Sequence, residues 1–151
     1  MSKPSDIYNA IQSQLQNAAS LSYMDDNAIF IGLRQSFDEF PAICIEEGKT
    51  QPEKQNDFNV YVDVVININL FILIKPFDAN KQIVGDIGTV SVGAADILND
   101  IKIALSADTT LGGKAIDMNF GGADPLLENW PNRNQSLVLI VLFRQNRVTR
   151  Q

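Results

Sequence analysis

The chain has 151 residues, 45% hydrophobic and 20% charged, which suits one domain with a real core and is too apolar for a disordered chain. Its formal net charge of −6 argues against a general nucleic-acid-coating role, because neutralising phosphates takes clustered cations. No histidine is present, which removes the commonest general base near neutral pH, the Ser-His and Cys-His nucleophile pairs and most zinc sites.

The N-terminus, MSKPSDIYNAIQSQ, has no apolar signal core, and no apolar stretch is both long enough and helical enough to span a bilayer. Ile66–Ile74 is too short and carries Asn67 and Asn69. The single cysteine, Cys44, excludes an intrachain disulfide and fits a reducing compartment. These features lead to the expectation of a soluble intracellular protein.

Ser5–Ala19 reads as a helix, with Ile7, Tyr8, Ile11, Leu15 and Ala18/Ala19 recurring at three- and four-residue spacing. Pro4 and Ser5 fit its first turn, and Asp6 suits the positive end of the helix dipole. Ala28–Leu33 and Pro41–Glu46 follow as short strands, the second with Ile43 and Ile45 on one face and Ala42 and Cys44 on the other. Gly48–Asp57 is polar and holds Pro52, so it reads as a loop or hairpin tip.

From Val60 to Ile74 every second residue is aliphatic: Val60, Val62, Val64, Ile66, Ile68, Leu70, Ile72 and Ile74. Alternating side chains on a strand point to opposite faces, so one face carries an unbroken apolar stripe. The other face carries Asn59, Tyr61, Asp63, Val65, Asn67 and Asn69, then Phe71 and Leu73. Fully extended, the run spans about 50 Å, against a usual strand of about 5–6 residues. The expectation is that part of it bends, bulges or projects to meet a partner.

Pro76–Val92 is irregular, and Ala94–Ala107 is an amphipathic helix built on Ala94, Ile97, Leu98, Ile101, Ala104 and Leu105, with Asp96 and Asp100 facing outward near its start. Gly112–Gly113 breaks the chain. Lys114–Phe120 alternates, setting Ala115, Asp117 and Asn119 against Ile116, Met118 and Phe120. Gly121–Asn134 reads as a loop containing Trp130, the only tryptophan. Ser136–Arg144 is apolar on both faces, the mark of a central strand covered on each side. The terminal QNRVTRQ is expected to fray or reach outward. This order predicts one α+β domain over residues 1–151, with a mixed or antiparallel sheet of about four to five strands and two main helices packed on one face.

Chemistry-bearing patterns are sparse. The acid pairs Asp25/Asp26, Asp38/Glu39 and Glu46/Glu47 lack the loop spacing of an EF-hand, and neighbours on a strand point apart, so solvated surface acids are the better reading. Cys44 lies in an apolar strand with no histidine to activate it, which favours a buried structural thiol. Gly112/Gly113 and Gly121/Gly122 match neither GxGxxG nor GxxxxGK[ST] and read as turn punctuation. Trp130 is either a contact anchor or a loop plug on the sheet. Arg144, Arg147 and Arg150 make the C-terminal end locally basic.

Taken together, DIYNAIQSQLQ, FDEFPAICIEE with Phe40-Pro41 before an apolar strand, the long alternating strand, ADILNDIKIAL and SLVLIVLFRQNR resemble the tail-terminator proteins of long-tailed bacteriophages. The order covers nearly the whole chain, although the central strand and the Gly121–Asn134 loop depart from the family. The resemblance implies a structural virion protein with no enzymatic activity and no catalytic, cofactor or metal site. It further implies a hexameric ring that caps the tail tube, stops its polymerisation and presents a joining surface to the head connector. Its partners would then be copies of itself, the tube protein and the connector protein. DNA would pass through the lumen without specific binding, and no membrane would be involved. The protein would reside in the virion tail, after assembly in the host cytoplasm. Tyr61, Asp63, Trp130, Arg144, Arg147 and Arg150 are the candidate interface residues. Alternative readings are another phage neck or minor tail component, an acidic-site metal-binding enzyme using Asp25, Asp26 or Asp38, and a module that adds an extended peptide to a sheet edge.

Overall fold

A computed structural model describes residues 3–32, 42–50, 54–55, 61–74, 94–123, 127–128 and 133–146. Helix α1 spans Pro4–Gln16 and buries Ile7, Ile11 and Leu15, one residue per turn on a single stripe. Proline in the first turn loses no bond, and the Asp6 carboxylate accepts the backbone N–H of Lys3 at 2.9 Å. The helix stops earlier than Ala19. Two 3₁₀ turns, Ala19–Leu21 and Asp26–Ala28, follow, and Asp25 caps the second by accepting from the Asn27 N–H.

The strands are β1 Ile29–Ile31, β2 Ala42–Thr50, β3 Lys54–Gln55, β4 Tyr61–Ile74, β5 Asp117–Ala123, β6 Leu127–Glu128 and β7 Arg133–Asn146. The second helix, α2, is Ala94–Ser106. The main path of the sheet runs β1-β2-β4-β7-β5, with β3 beside β4 and β6 beside β7. Among the described strand pairs only β1–β2 is parallel, so the sheet is mixed. The fold is α+β, as the element order predicts.

One face of the sheet carries Ile43, Ile45, Val64, Ile66, Ile68, Leu70, Ile72, Leu137, Leu139, Val141 and Phe143, all buried in one cluster with the inner stripes of α1 and α2. The aliphatic alternation of β4 therefore marks the helix-covered face. On the opposite face a smaller buried cluster gathers Ala28, Phe30, Ala42, Cys44 and Leu73. Cys44 is fully buried and its thiol donates to the Gly32 carbonyl at 3.2 Å, a structural position.

Several boundaries differ from the sequence expectation. The long strand does not leave an unpaired ribbon: every residue of β4 from Tyr61 to Ile74 has a partner in β7, which is equally long. Its other edge is covered by β2 over Leu73–Ile66 and by β3 at Asp63 and Val62. A strand's length strands its backbone groups only when no partner matches it, and β7 does. A bulge does occur, but in β2, between Glu47 and Thr50, and the β4–β7 register runs without a shift. Gly48–Thr50 and Lys54–Gln55, expected as loop, are strand, and the rest of that segment lies outside the described residues. Gly121 and Gly122 are not turn residues, since they lie in β5 beside its own bulge between Phe120 and Ala123. Gln145 and Asn146 do not fray; they pair with Val62 and Tyr61. The Pro76–Val92 segment lies outside the described residues.

Candidate interaction surfaces

The main path of the sheet ends at β1 on one side and β5 on the other, and these two edges differ. At β1 the Gln12 side chain donates to the Ile29 carbonyl at 3.0 Å, and Gln16 donates to the same oxygen at 3.4 Å. Helix α1 thereby blunts a backbone acceptor that would otherwise invite strand addition. Beside this edge a recess of ≈ 350 Å³ is lined by Ser5, Tyr8, Asn9, Ile31, Gly32, Ile45, Glu46 and Glu47. Burial first, then the nearby Glu47 and Glu46 charges, push the Tyr8 phenol above its ordinary pKa.

At the other side, Ile116 donates its backbone N–H to the Leu142 carbonyl at 2.8 Å and leads into β5. Its side chain is 45% exposed, and Ile31 on β1 is 41% exposed. Sequence reasoning grouped Ile116 with Met118 and Phe120. The structure separates them, since Met118 is buried and Ile116 precedes the strand proper. Alternation carries no signal for such a residue, because it stands one position before the ladder that enforces the period.

The sheet face opposite the helices bears half-buried Val65, Phe71, Val138, Ile140 and Leu142, with Asn67 and Asn69 among them. Asn69 donates to the Glu47 carbonyl at 3.5 Å, whereas the buried Oδ1 of Asn67 has no hydrogen-bond partner. Of the interface candidates, Tyr61 stands opposite Asn146 and Asp63 opposite Arg144 across the β4–β7 ladder. Arg144 is exposed. The register thus sets the backbone of Asp63 opposite that of Arg144, a placement that linear sequence does not reveal. Trp130, Arg147 and Arg150 lie outside the described residues, as do Asp38 and Glu39.

An open cleft of ≈ 780 Å³ runs between α1 and the C-terminal end of α2. Gln14 of α1 crosses it and donates to the Ala104, Leu105 and Asp108 carbonyls at 3.1, 3.2 and 3.1 Å. The Ala104 and Leu105 carbonyls are acceptors left over at the C-terminus of α2 and Asp108 lies in the turn beyond it, so Gln14 fixes α1 to the end of α2. In the turn that follows, Asp108 Oδ1 accepts from the Thr110 hydroxyl and N–H, and Oδ2 accepts from the Gly112 N–H. The hydroxyl bond first, then the Gly112 and Thr110 N–H bonds, hold this carboxyl below its ordinary pKa. The turn keeps Leu111, Gly112 and Gly113 at φ of 51°, 68° and 86°, which explains the glycine pair as backbone geometry.

Asp96 is exposed as expected, but Asp100 is engaged: it accepts the Tyr23 hydroxyl at 2.8 Å, while its backbone carbonyl accepts Ser20 Oγ at 2.9 Å. Burial, then the hydrogen bond to Asp100 and its charge, raise the Tyr23 pKa. A tyrosine whose folded pKa is raised contributes stability that is complete below its unfolded pKa of about 10 and is lost as pH climbs beyond it. Tyr23→Phe should cost about 1 kcal/mol at pH ~8. By pH ~11 the gap between the two proteins should narrow in urea unfolding. Parallel losses in both proteins would refute this role for the bond.

Among the described residues no group of three or more cysteine, aspartate or glutamate side chains could hold a metal ion, and no helix is long and apolar enough to cross a membrane. Comparison with protein-family models finds no match, and comparison with curated proteins finds none either.

Proposed function

We propose that this protein is a structural ring component that terminates a bacteriophage tail tube, stopping its growth and offering a new surface to the head connector. The observation that carries this reading is the element order. A leading helix, an apolar strand after Phe40-Pro41, a long central strand, an amphipathic helix and a last apolar strand, the arrangement on which the resemblance rests, occur in one α+β sheet with both helices on one face. The surplus-ribbon argument gives way to a different one. Among the described residues the long strands pair with each other and the main path of the sheet ends at two unlike edges, β1 with exposed Ile31 and β5 with exposed Ile116 just before it. Unlike edges suit contacts that repeat around an axis.

The mechanism is one of shape. A ring of copies adds to the last ring of the tube, buries the tube's open end and exposes a surface on which tube protein cannot build. The acidic chain lines the passage without holding DNA, because like charges do not bind phosphates. Tails assembled without this protein should appear in electron micrographs as overlong or headless tubes. Tails of normal length joined to heads would defeat the proposal.

A further inference from the structure

We propose that the recess beside β1 receives an arginine side chain carried by a partner protein, with Glu47 as its counter-charge and the Tyr8 ring as its stacking platform. The proposal goes beyond the tail-tube reading and does not depend on it.

The site begins as a break in a pattern. On β2, Ile43 and Ile45 face the helices and are fully buried. Glu47 is next in that alternation, and its ladder partner Ile68 belongs to the same helix-covered core. A carboxylate therefore stands where the stripe calls for an aliphatic side chain. It is exposed and has no hydrogen bond or ion pair among the described residues. Glu46 is not counted with it, because that carboxylate is already engaged and accepts the Glu47 N–H at 3.0 Å.

The same corner leaves Ile31 uncovered. Ile29 on β1 is buried under the helices, whereas Ile31, two residues on and on the same face, is 41% exposed. The strand ends at Gly32, whose φ of 88° turns the chain and whose N–H donates to the Ile45 carbonyl at 2.8 Å. The ≈ 350 Å³ recess lies here, with Ile31, Ile45 and Glu47 from the sheet and Ser5, Tyr8 and Asn9 from α1. The Tyr8 hydroxyl makes no hydrogen bond among the described residues. Burial, then the Glu47 and Glu46 charges, keep that phenol protonated.

This lining selects its occupant. Glu47 repels an anion, and a purely apolar group would strip water from the carboxylate without replacing it. A cation on an aliphatic stem suits both parts of the site, its methylenes against Ile31 and its charge on Glu47. Arginine fits better than lysine, since a planar guanidinium stacks on a tyrosine ring and bonds a carboxylate through two N–H groups. The positive end of α1, which opposes a cation, is already answered by Asp6 in its first turn. The lining carries no cation to hold an α-carboxylate, so the arginine is one within a chain and not the free amino acid.

The test is an NMR titration of the isotope-labelled full chain with N-acetyl-arginine amide at low salt. The Tyr8, Gly32 and Glu47 amides should shift together, with a dissociation constant of about 1–10 mM for so small a probe. N-acetyl-lysine amide should bind about threefold more weakly, and the neutral isostere N-acetyl-citrulline amide at least about tenfold more weakly. Glu47→Gln should weaken the arginine probe about tenfold and Tyr8→Leu about threefold, whereas Tyr8→Phe, which keeps the ring, should bind like wild type. Citrulline binding equal to arginine, unchanged affinity in Glu47→Gln, or no shift at ~50 mM probe would each overturn the proposal. Equal shifts at exposed Asp96 on α2 would do so too, since they would mean unspecific charge attraction. Tighter binding of free arginine than of the blocked probe would overturn the protein source. Binding that emerges only in Arg34→Ala, a position outside the described residues, would show the chain filling the recess itself and would also overturn it.

Discussion

Phe143→Ala is expected to cost about 3–5 kcal/mol, the range for emptying a fully buried aromatic site. Among the described residues Phe143 is the largest fully buried side chain, and it stands opposite Val64 across the β4–β7 ladder. Both neighbours of that ladder, β2 and β5, depend on it for their own pairing, so the cavity weakens the whole sheet. A loss of this size is comparable to much of the stability of an ordinary domain, about 5–15 kcal/mol. Urea unfolding at equilibrium measures it directly. Ile103→Ala, at a side chain 54% exposed on α2, should change stability by no more than about 0.5 kcal/mol. Equal effects from the two substitutions would mean that the β4–β7 ladder is not the centre of the fold.

Gly48→Ala should destabilise by about 1–3 kcal/mol or more, although it adds only a methyl group. Gly48 lies at the bulge of β2, where the strand crosses close over β4. A Cβ there would stand 2.5 Å from the Asn67 carbonyl oxygen and 2.8 Å from its carbonyl carbon. Those atoms belong to the backbone of the most heavily paired strand and cannot turn aside as a side-chain tip could. The same substitution at Gly122, in the bulge region of β5, meets nothing within 4 Å and should be nearly neutral. Unfolding midpoints of the two alanine variants settle the comparison. A Gly48→Ala protein as stable as wild type would show that β2 and β4 lie further apart here.

The two substitutions also mark what could be read without coordinates. Val64, Ile66, Ile68, Leu70 and Ile72 announce their common face through alternation alone, and that face is the one under the helices. Nothing in GKTQPEKQND announces that Gly48 is pressed against Asn67, because the neighbour is close only after β2 has folded back on β4. Composition made the segment look like a loop, whereas the pairing made it strand as far as Thr50. Ile7, Ile11 and Leu15 on α1, and Ile97, Ile101 and Leu105 on α2, were legible for the same local reason as the β4 stripe. The candidate surfaces were less so. Ile31 and Ile116 are ordinary aliphatic residues in the sequence, and only their positions at opposite sheet edges set them apart. Asp63 and Arg144 were both named as contact residues, but their mutual opposition is a property of register.

The sequence by itself determined the class of fold, which residues face the core in each long element, the burial of Cys44 and the poverty of titratable machinery. Each of these follows from the period of the backbone or from composition, and both act within a few residues. Only the tertiary structure decided that β7 would match β4 residue for residue, that the bulges would fall in β2 and β5, and that among the described residues the main path of the sheet would end at β1 and β5. Strand pairing joins positions some eighty residues apart, as Val64 and Phe143 are, through backbone groups common to every residue, and side-chain spelling along one strand says little about which partner satisfies them.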